Sequence, residues 1–266
     1  MNLFFHELKM YWKYLLFWSI GILAMVGGGI GKFTGMYATG GQDITDLMDK
    51  LPKAFLAMFG MYNIDVASIG GFYAIIHFYL MIMGAVYAII LGAGILAKEE
   101  RDKTAEFLMV KPIYRASVLG QKLMAGLVYV LAFVAVDAVI SLVLVKKVAP
   151  TEDITSEIML FLIALILIML IFYCLSFGLS GALRDNRKSS MIMLSVMGFV
   201  YLGTVFMDML ENSGWMRPFL PFKYFPSPDI LDKLTLDPLY IGLSLLLILI
   251  GLGMAFIRFP RRDLHL

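Results

Sequence analysis

A helix rises about 1.5 Å per residue, so roughly 17–25 apolar residues in a row are enough to cross the ~30 Å hydrocarbon core of a bilayer. Six windows of this chain meet that requirement: 14–31, 72–97, 123–145, 158–183, 190–207 and 239–257. Gly and Ser inside them fit a membrane helix, where small residues let backbones approach closely. The composition agrees. Hydrophobic residues make up 61% of the chain, charged residues only 16%, and the mean hydropathy is +0.85. A water-soluble domain is nearer half apolar and a quarter charged. The chain therefore reads as an all-α, polytopic membrane protein.

The charges between the windows alternate in sign. Lys9, Lys13, Lys98, Arg101, Lys103, Lys111, Arg115, Lys122, Arg184, Arg187, Lys188, Arg258, Arg261 and Arg262 fall at the N-terminus, in 98–122, in 184–188 and at the C-terminus. These segments hold twice as many Lys and Arg as Asp and Glu, whereas acids outnumber bases in the other connections. An excess of Lys and Arg marks the cytoplasmic side. Both termini are then expected in the cytoplasm, as an even number of spans requires.

The single cysteine, Cys174, lies in an apolar run and excludes a disulfide framework. The window from Tyr14 is too long for a signal-peptide core and ends without a small-x-small cleavage site, so it reads as the first span. Residues 1–13 mix aromatic, aliphatic and basic side chains and suggest an N-terminal interfacial helix in the headgroup layer. In the first outer loop Leu47, Leu51, Phe55 and Phe59 recur every four residues and predict an apolar helical face. The second, 208–238, carries Pro218, Pro221, Pro226, Pro228 and Pro238 among Trp215, Phe219, Phe222, Tyr224 and Phe225. Proline interrupts regular helix there, and aromatics suit the interface. No repeat divides the chain, which is read as one domain.

The most informative stretch follows the second window. From Ala97 to Arg115 it is dense in charge of both signs, then shows a short helical pattern that stops at Lys111-Pro112. A charged surface helix of this kind can dock a soluble partner; equally, a charged loop can serve topology alone. The run Glu-Glu-Arg-x-x-Thr-Ala-Glu-Phe-Leu-x-x-Lys-Pro-x-x-Arg, residues 99–115, resembles the cytoplasmic segment of ABC-2 type transporter permeases. Leu51-Pro52, Phe59-Gly60 and the tail Arg261-Arg262-Asp263 are similar to further features of that family. Where many members carry Gly before the Thr, this chain has Lys103.

The resemblance implies an ABC-2, type V exporter-like fold with six transmembrane helices, an N-terminal interfacial helix and a cytoplasmic coupling helix within 98–118. It implies one transmembrane permease domain, 1–266, in a prokaryotic plasma membrane. The implied partners are a separate cytoplasmic ABC ATP-binding subunit, two copies per transporter, a second permease copy or paralogue, and membrane lipid, with no nucleic acid. ATP and Mg would be bound by the ATPase, and this chain would carry no cofactor or metal and no catalytic residue. Glu99, Glu100, Arg101, Thr104, Glu106, Lys111, Pro112 and Arg115 are the residues implied to couple to it. Charges at such a contact set register and specificity more than affinity.

Other features weigh less. Gly27–Lys32 superficially resembles a phosphate loop, but Val26 stands where the first Gly belongs and Phe33 follows the Lys. His6, His77 and His265 are too scattered to converge on a metal, which argues against an intramembrane enzyme. Asp137 is the one carboxylate well inside a window. An ionised group there is costly. It reads either as a polar element of a pathway or as a packing contact, with Ser141 one turn on as its partner. Tyr201, with Ser195, Gly198, Gly203 and Thr204, lies in the fifth window. By the resemblance, the first and fifth spans line the dimer interface and translocation route, which makes Tyr201 a pathway candidate beside the buried carboxylate Asp137. A non-transporting sensor or immunity-type scaffold on the same fold is the alternative function.

Overall fold

The computed structural model describes residues 3–38, 50–101, 114–183, 187–210 and 213–259. Among them every regular element is helical: α1 (Leu3–Ala38), α2 (Lys53–Met58), α3 (Ile69–Arg101), α4 (Arg115–Val148), α5 (Thr155–Ala182), α6 (Arg187–Met209), α7 (Ser227–Lys233) and α8 (Pro238–Arg258). Two 3-10 turns, Gly214–Phe219 and Pro221–Lys223, precede α7. Six of the helices, α1, α3, α4, α5, α6 and α8, are long and apolar enough to cross a membrane. The chain is thus a multi-pass membrane protein. Several helices outrun the bilayer: α1 has 36 residues, or about 54 Å at 1.5 Å per residue.

Its length changes one expectation. Residues 3–13 do not form a separate interfacial helix; they are the first three turns of α1. No Gly or Pro lies between Leu3 and Ile20 to interrupt the helix, and one face of these turns packs on α4. The Gly27–Lys32 run is likewise inside α1, where a Cβ on Gly29 would come within 2.6 Å of Ile76 Cδ1. It is a site of close helix contact.

In the first outer loop the apolar face is shorter than its spacing predicts. Leu51 precedes Pro52, whose ring keeps the preceding residue out of the helical region, so α2 starts only at Lys53. Leu47 lies outside the described residues. The helix stops at Gly60, which takes φ +70° and rests on Phe78.

The bundle is arranged around α5, which is apolar on all faces and packs most extensively on α3 and α8, while α1 pairs with α4 and α6 leans on α3. Lipid supplies no hydrophobic force between helices, so small residues and hydrogen bonds supply the contact. Gly178 of α5 meets the Gly251 carbonyl of α8, Gly251 meets the Cys174 backbone, and Gly181 faces Ala255 one turn on. Ser176 and Ser180 donate from α5 to the carbonyls of Ile89 (2.8 Å) and Ala93 (3.1 Å) on α3. The hydroxyls of Tyr173 and Tyr87 donate to the carbonyls of Leu123 (3.1 Å) and Tyr129 (3.2 Å) on α4. Cys174 is a free, buried thiol in the same contact.

These contacts gather the start of α1, the end of α3, the start of α4, the end of α5 and the end of α8 at one end of the bundle. Around it fall the basic segments of the sequence, so it is called the basic end below.

The α5–α8 crossing has a direct test. Gly178→Ala places a methyl against the Gly251 carbonyl and should lower stability by about 1–3 kcal/mol, the usual cost of overpacking. Gly253→Ala on α8 meets nothing within 4 Å and should leave stability unchanged. Thermal unfolding of the two variants in detergent compares them; equal midpoints would mean that the helices cross farther apart.

Candidate functional site

The predicted docking residues cluster by sequence at the basic end. Glu99, Glu100 and Arg101 form the last turn of α3. Arg115 is the first residue of α4, after Tyr114 in an extended conformation and 87% exposed. Thr104, Glu106, Lys111 and Pro112 lie outside the described residues. Both stems of the connection are thus long helices that deliver its ends to the same face.

Between these stems the structure brings together residues that the sequence did not link. Lys122, about two turns into α4, donates from Nζ to Ile95 O on α3 at 2.5 Å and to Glu7 Oε1 on α1 at 3.2 Å. The Lys122 and Glu7 side chains are 2% and 1% exposed. Three helices meet in one ammonium group. Beside it, Phe4 N–H donates to Gln121 Oε1 at 3.3 Å. Phe4 lies in the first turn of α1, and the first N–H groups of a helix have no partner within it; here α4 provides one. Tyr129 OH donates to the Leu8 carbonyl, and the rings of Tyr11 and Tyr129 meet edge to face at 6.2 Å. Burying two charges is expensive, and such a pair gives little net stability over apolar packing. Its effect is to fix which turn of α1 lies against which turn of α4. The sequence signal was faint: Glu7 is the one acid in the basic N-terminal stretch.

Asp137 lies fully buried on α4, and its Oδ1 accepts a 3.0 Å bond from Ser141 Oγ one turn on. Among the described residues, Oδ2 has no hydrogen-bond partner. The hydroxyl of Tyr73 on α3 lies close to both residues. His77, one turn along α3, is buried, and among the described residues neither ring nitrogen has a hydrogen-bond partner. Both rings rest on Phe161 of α5, with centroids 5.8 and 4.6 Å away. A polar patch therefore sits inside the helical bundle, toward the end opposite the basic one.

Tyr201, the second pathway candidate, lies near that opposite end of α6. Its hydroxyl donates to the Met58 carbonyl at 2.8 Å, and its ring meets Phe78 at 6.2 Å. It ties α6 to α2. Next to it, Arg217 organises the loop before α7. Its Nε and Nη2 donate to the carbonyls of Lys223 (3.0 Å) and Tyr224 (3.2 Å). Its guanidinium stands 4.1 Å over the Tyr240 ring and 4.0 Å from both Asp229 and Asp237. Lys223 pairs with Asp208 at 2.6 Å. Burial pushes the Tyr224 hydroxyl up to about 12, and it donates to Pro218 O at 2.6 Å. Sequence reading saw only prolines and aromatics in this loop; an arginine among them was the available sign of a planar, multi-donor anchor.

Lysine cannot reproduce that fork. Arg217→Lys should destabilise the cap that 213–237 forms around this arginine by about 1.5–3 kcal/mol, the range for hydrogen bonds from a charged group. Faster proteolytic cleavage within 211–237, with the spans intact, would report it; an unchanged cleavage rate would show that the cap is held by its aromatics alone.

Against this geometry the comparisons with known proteins can be set. A family model described as "ABC-2 family transporter protein" matches residues 1–264. No curated protein matches the chain. The six long apolar helices, the single helical bundle built on them and a family match over nearly the whole length agree: the chain belongs to the ABC-2 family of transporter proteins, as a membrane permease of an ABC transporter.

Proposed function

We propose that this permease is the membrane half of an exporter driven by ATP that a separate cytoplasmic ATPase subunit hydrolyses. Two ATPase copies dock on two permease chains, identical or paralogous, with ATP and Mg bound by the ATPase. The basic end faces the cytoplasm, with both termini, in the plasma membrane of a prokaryotic cell. The coupling segment is 98–118, and Glu99, Glu100, Arg101, Thr104, Glu106, Lys111, Pro112 and Arg115 are its contact residues.

One observation supports this most. α3 has 33 residues, about 50 Å, against a core of about 30 Å. Its charged last turn therefore reaches beyond the apolar layer, and α4 begins beside it at Arg115. A connection held out on two helical stems, rich in both signs of charge, suits a protein surface better than a lipid one. The positive-inside bias puts it on the side that holds ATP.

Glu106→Lys tests the docking. Reversing a charge in a contact sets like charges together, and association with the ATPase should weaken about tenfold, equivalent to ~1.4 kcal/mol, while the chain still inserts. Pull-down of the ATPase and transport in proteoliposomes measure both. Unchanged association removes Glu106 from the contact. Loss of the whole 99–115 segment without loss of function would favour a non-transporting scaffold.

Asp137 and Tyr201 are proposed to border the translocation route. Asp137→Leu removes a buried carboxyl that satisfies only one oxygen, so the unfolding midpoint should hold or rise. Transport should fall about tenfold if the carboxyl meets cargo, the scale of one hydrogen bond to a charged group. If transport also holds, Asp137 is a packing residue.

A further inference from the structure

Lys122 stands where three helices meet, and the positions of its partners suggest more than packing. Ile95 lies about 9 Å before the end of α3 and Lys122 about 10 Å after the start of α4, at 1.5 Å per residue. A single ammonium thus fastens both stems of the inner connection at equal depth. Its second bond reaches α1 at Glu7, and the Phe4–Gln121 bond repeats the tie at the very start of that helix. Farther along, α1 is held by apolar packing through Ile22, Val26 and Ile30 and by Tyr14, whose ring stacks on Tyr87 and whose hydroxyl donates to the Tyr87 carbonyl. It packs on α4 and, less extensively, on α3, while Leu16, Phe17, Ile20 and Leu23 are exposed on its other side. A displacement of the two stems would therefore bear directly on the start of the first span.

We infer that Lys122 is a positioning residue, which with Glu7 transmits movement of the 102–113 connection to α1. The inference rests on the proposed docking of an ATPase at that connection. Neither residue touches cargo or nucleotide. The pair holds α1 in register with the stems, so that a shift of the connection by an ångström or two shifts the helix start with it. With the tie removed, the start of α1 loses its charged link to the stems, and ATP hydrolysis continues with less movement of the first span. The signature of that failure is a changed ratio of transport to hydrolysis, which simple loss of stability would not produce, because unfolded complexes lose both together.

The test uses the permease–ATPase complex in proteoliposomes. Lys122→Met alone strands a buried carboxylate and can fail to fold. The double variant Glu7→Gln/Lys122→Met removes both charges, an exchange that packing tolerates, and is the deciding one. It should assemble with the ATPase as the wild type does and hydrolyse ATP at a similar rate. Transport per ATP should fall at least about fivefold, the lower range of coupling between sites. An unchanged ratio in a folded, assembled double variant overturns the inference and leaves the docking reading in place. A wild-type complex with no ATP-dependent transport overturns both.

Discussion

The close meeting of α5 with α3 and α8 is the contact on which the rest of the bundle depends. In a bilayer, lipid tails satisfy apolar side chains as well as another helix does, so burying leucine on leucine gains little. What α5 offers is surface without bulk: Gly178 and Gly181 against Gly251 and Ala255 on one side, Ser176 and Ser180 against α3 carbonyls on the other. Those serines use oxygen acceptors that water cannot reach. α3 is fixed by them, α4 is fixed to α3 and α5 by Tyr87 and Tyr173, and α1 is fixed to α4. The order of dependence runs outward from α5, and α1 comes last.

That order bears on function. The helices with the most exposed apolar surface, α1, α6 and α8, are free on one side for lipid or for a second chain. At the α5–α8 crossing the contacts are backbone to backbone and leave no room for adjustment. The start of α1 is held at the basic end by the Glu7–Lys122 pair, and side-chain ties can be loosened or re-formed at lower cost than a glycine crossing. A transporter needs both kinds of joint. The polar patch around His77 and Asp137 adds a third element: groups inside the bundle with unused hydrogen-bonding capacity among the described residues. Buried polar atoms are usually paired, and those that are not mark places where structure gives way to another demand.

Much of this was legible in the sequence because a bilayer imposes one length scale and one charge rule. The six windows needed no knowledge of tertiary contacts, and the 99–115 run carried the family by its residues. Ser141 as the partner of Asp137 followed from helical spacing alone. Other features depend on contacts between distant segments. Nothing local in Leu3–Lys13 told that the segment would continue into the span instead of lying flat, because its aromatic and basic residues suit either; Glu7 decides, and its partner is 115 residues away. Pro52 outweighed the four-residue spacing in the first outer loop because a ring clash acts at one residue, whereas periodicity is only a sum of weak preferences. Arg217 was hidden for the same reason as Glu7: its acceptors are carbonyls, which every residue has, and composition cannot single them out.

Cys174 gains a different meaning from its place in the α5–α8 contact. The thiol is 2% exposed and enclosed by two helices that cannot separate without unfolding the bundle. The chain therefore has a native background that is chemically silent toward bulky maleimides. A single cysteine introduced at Phe5, Tyr114 or Trp215, all well exposed, would be the one reactive handle on the molecule. A membrane-impermeant reagent added to sealed vesicles could then tell one face of the protein from the other without altering any residue that holds it together.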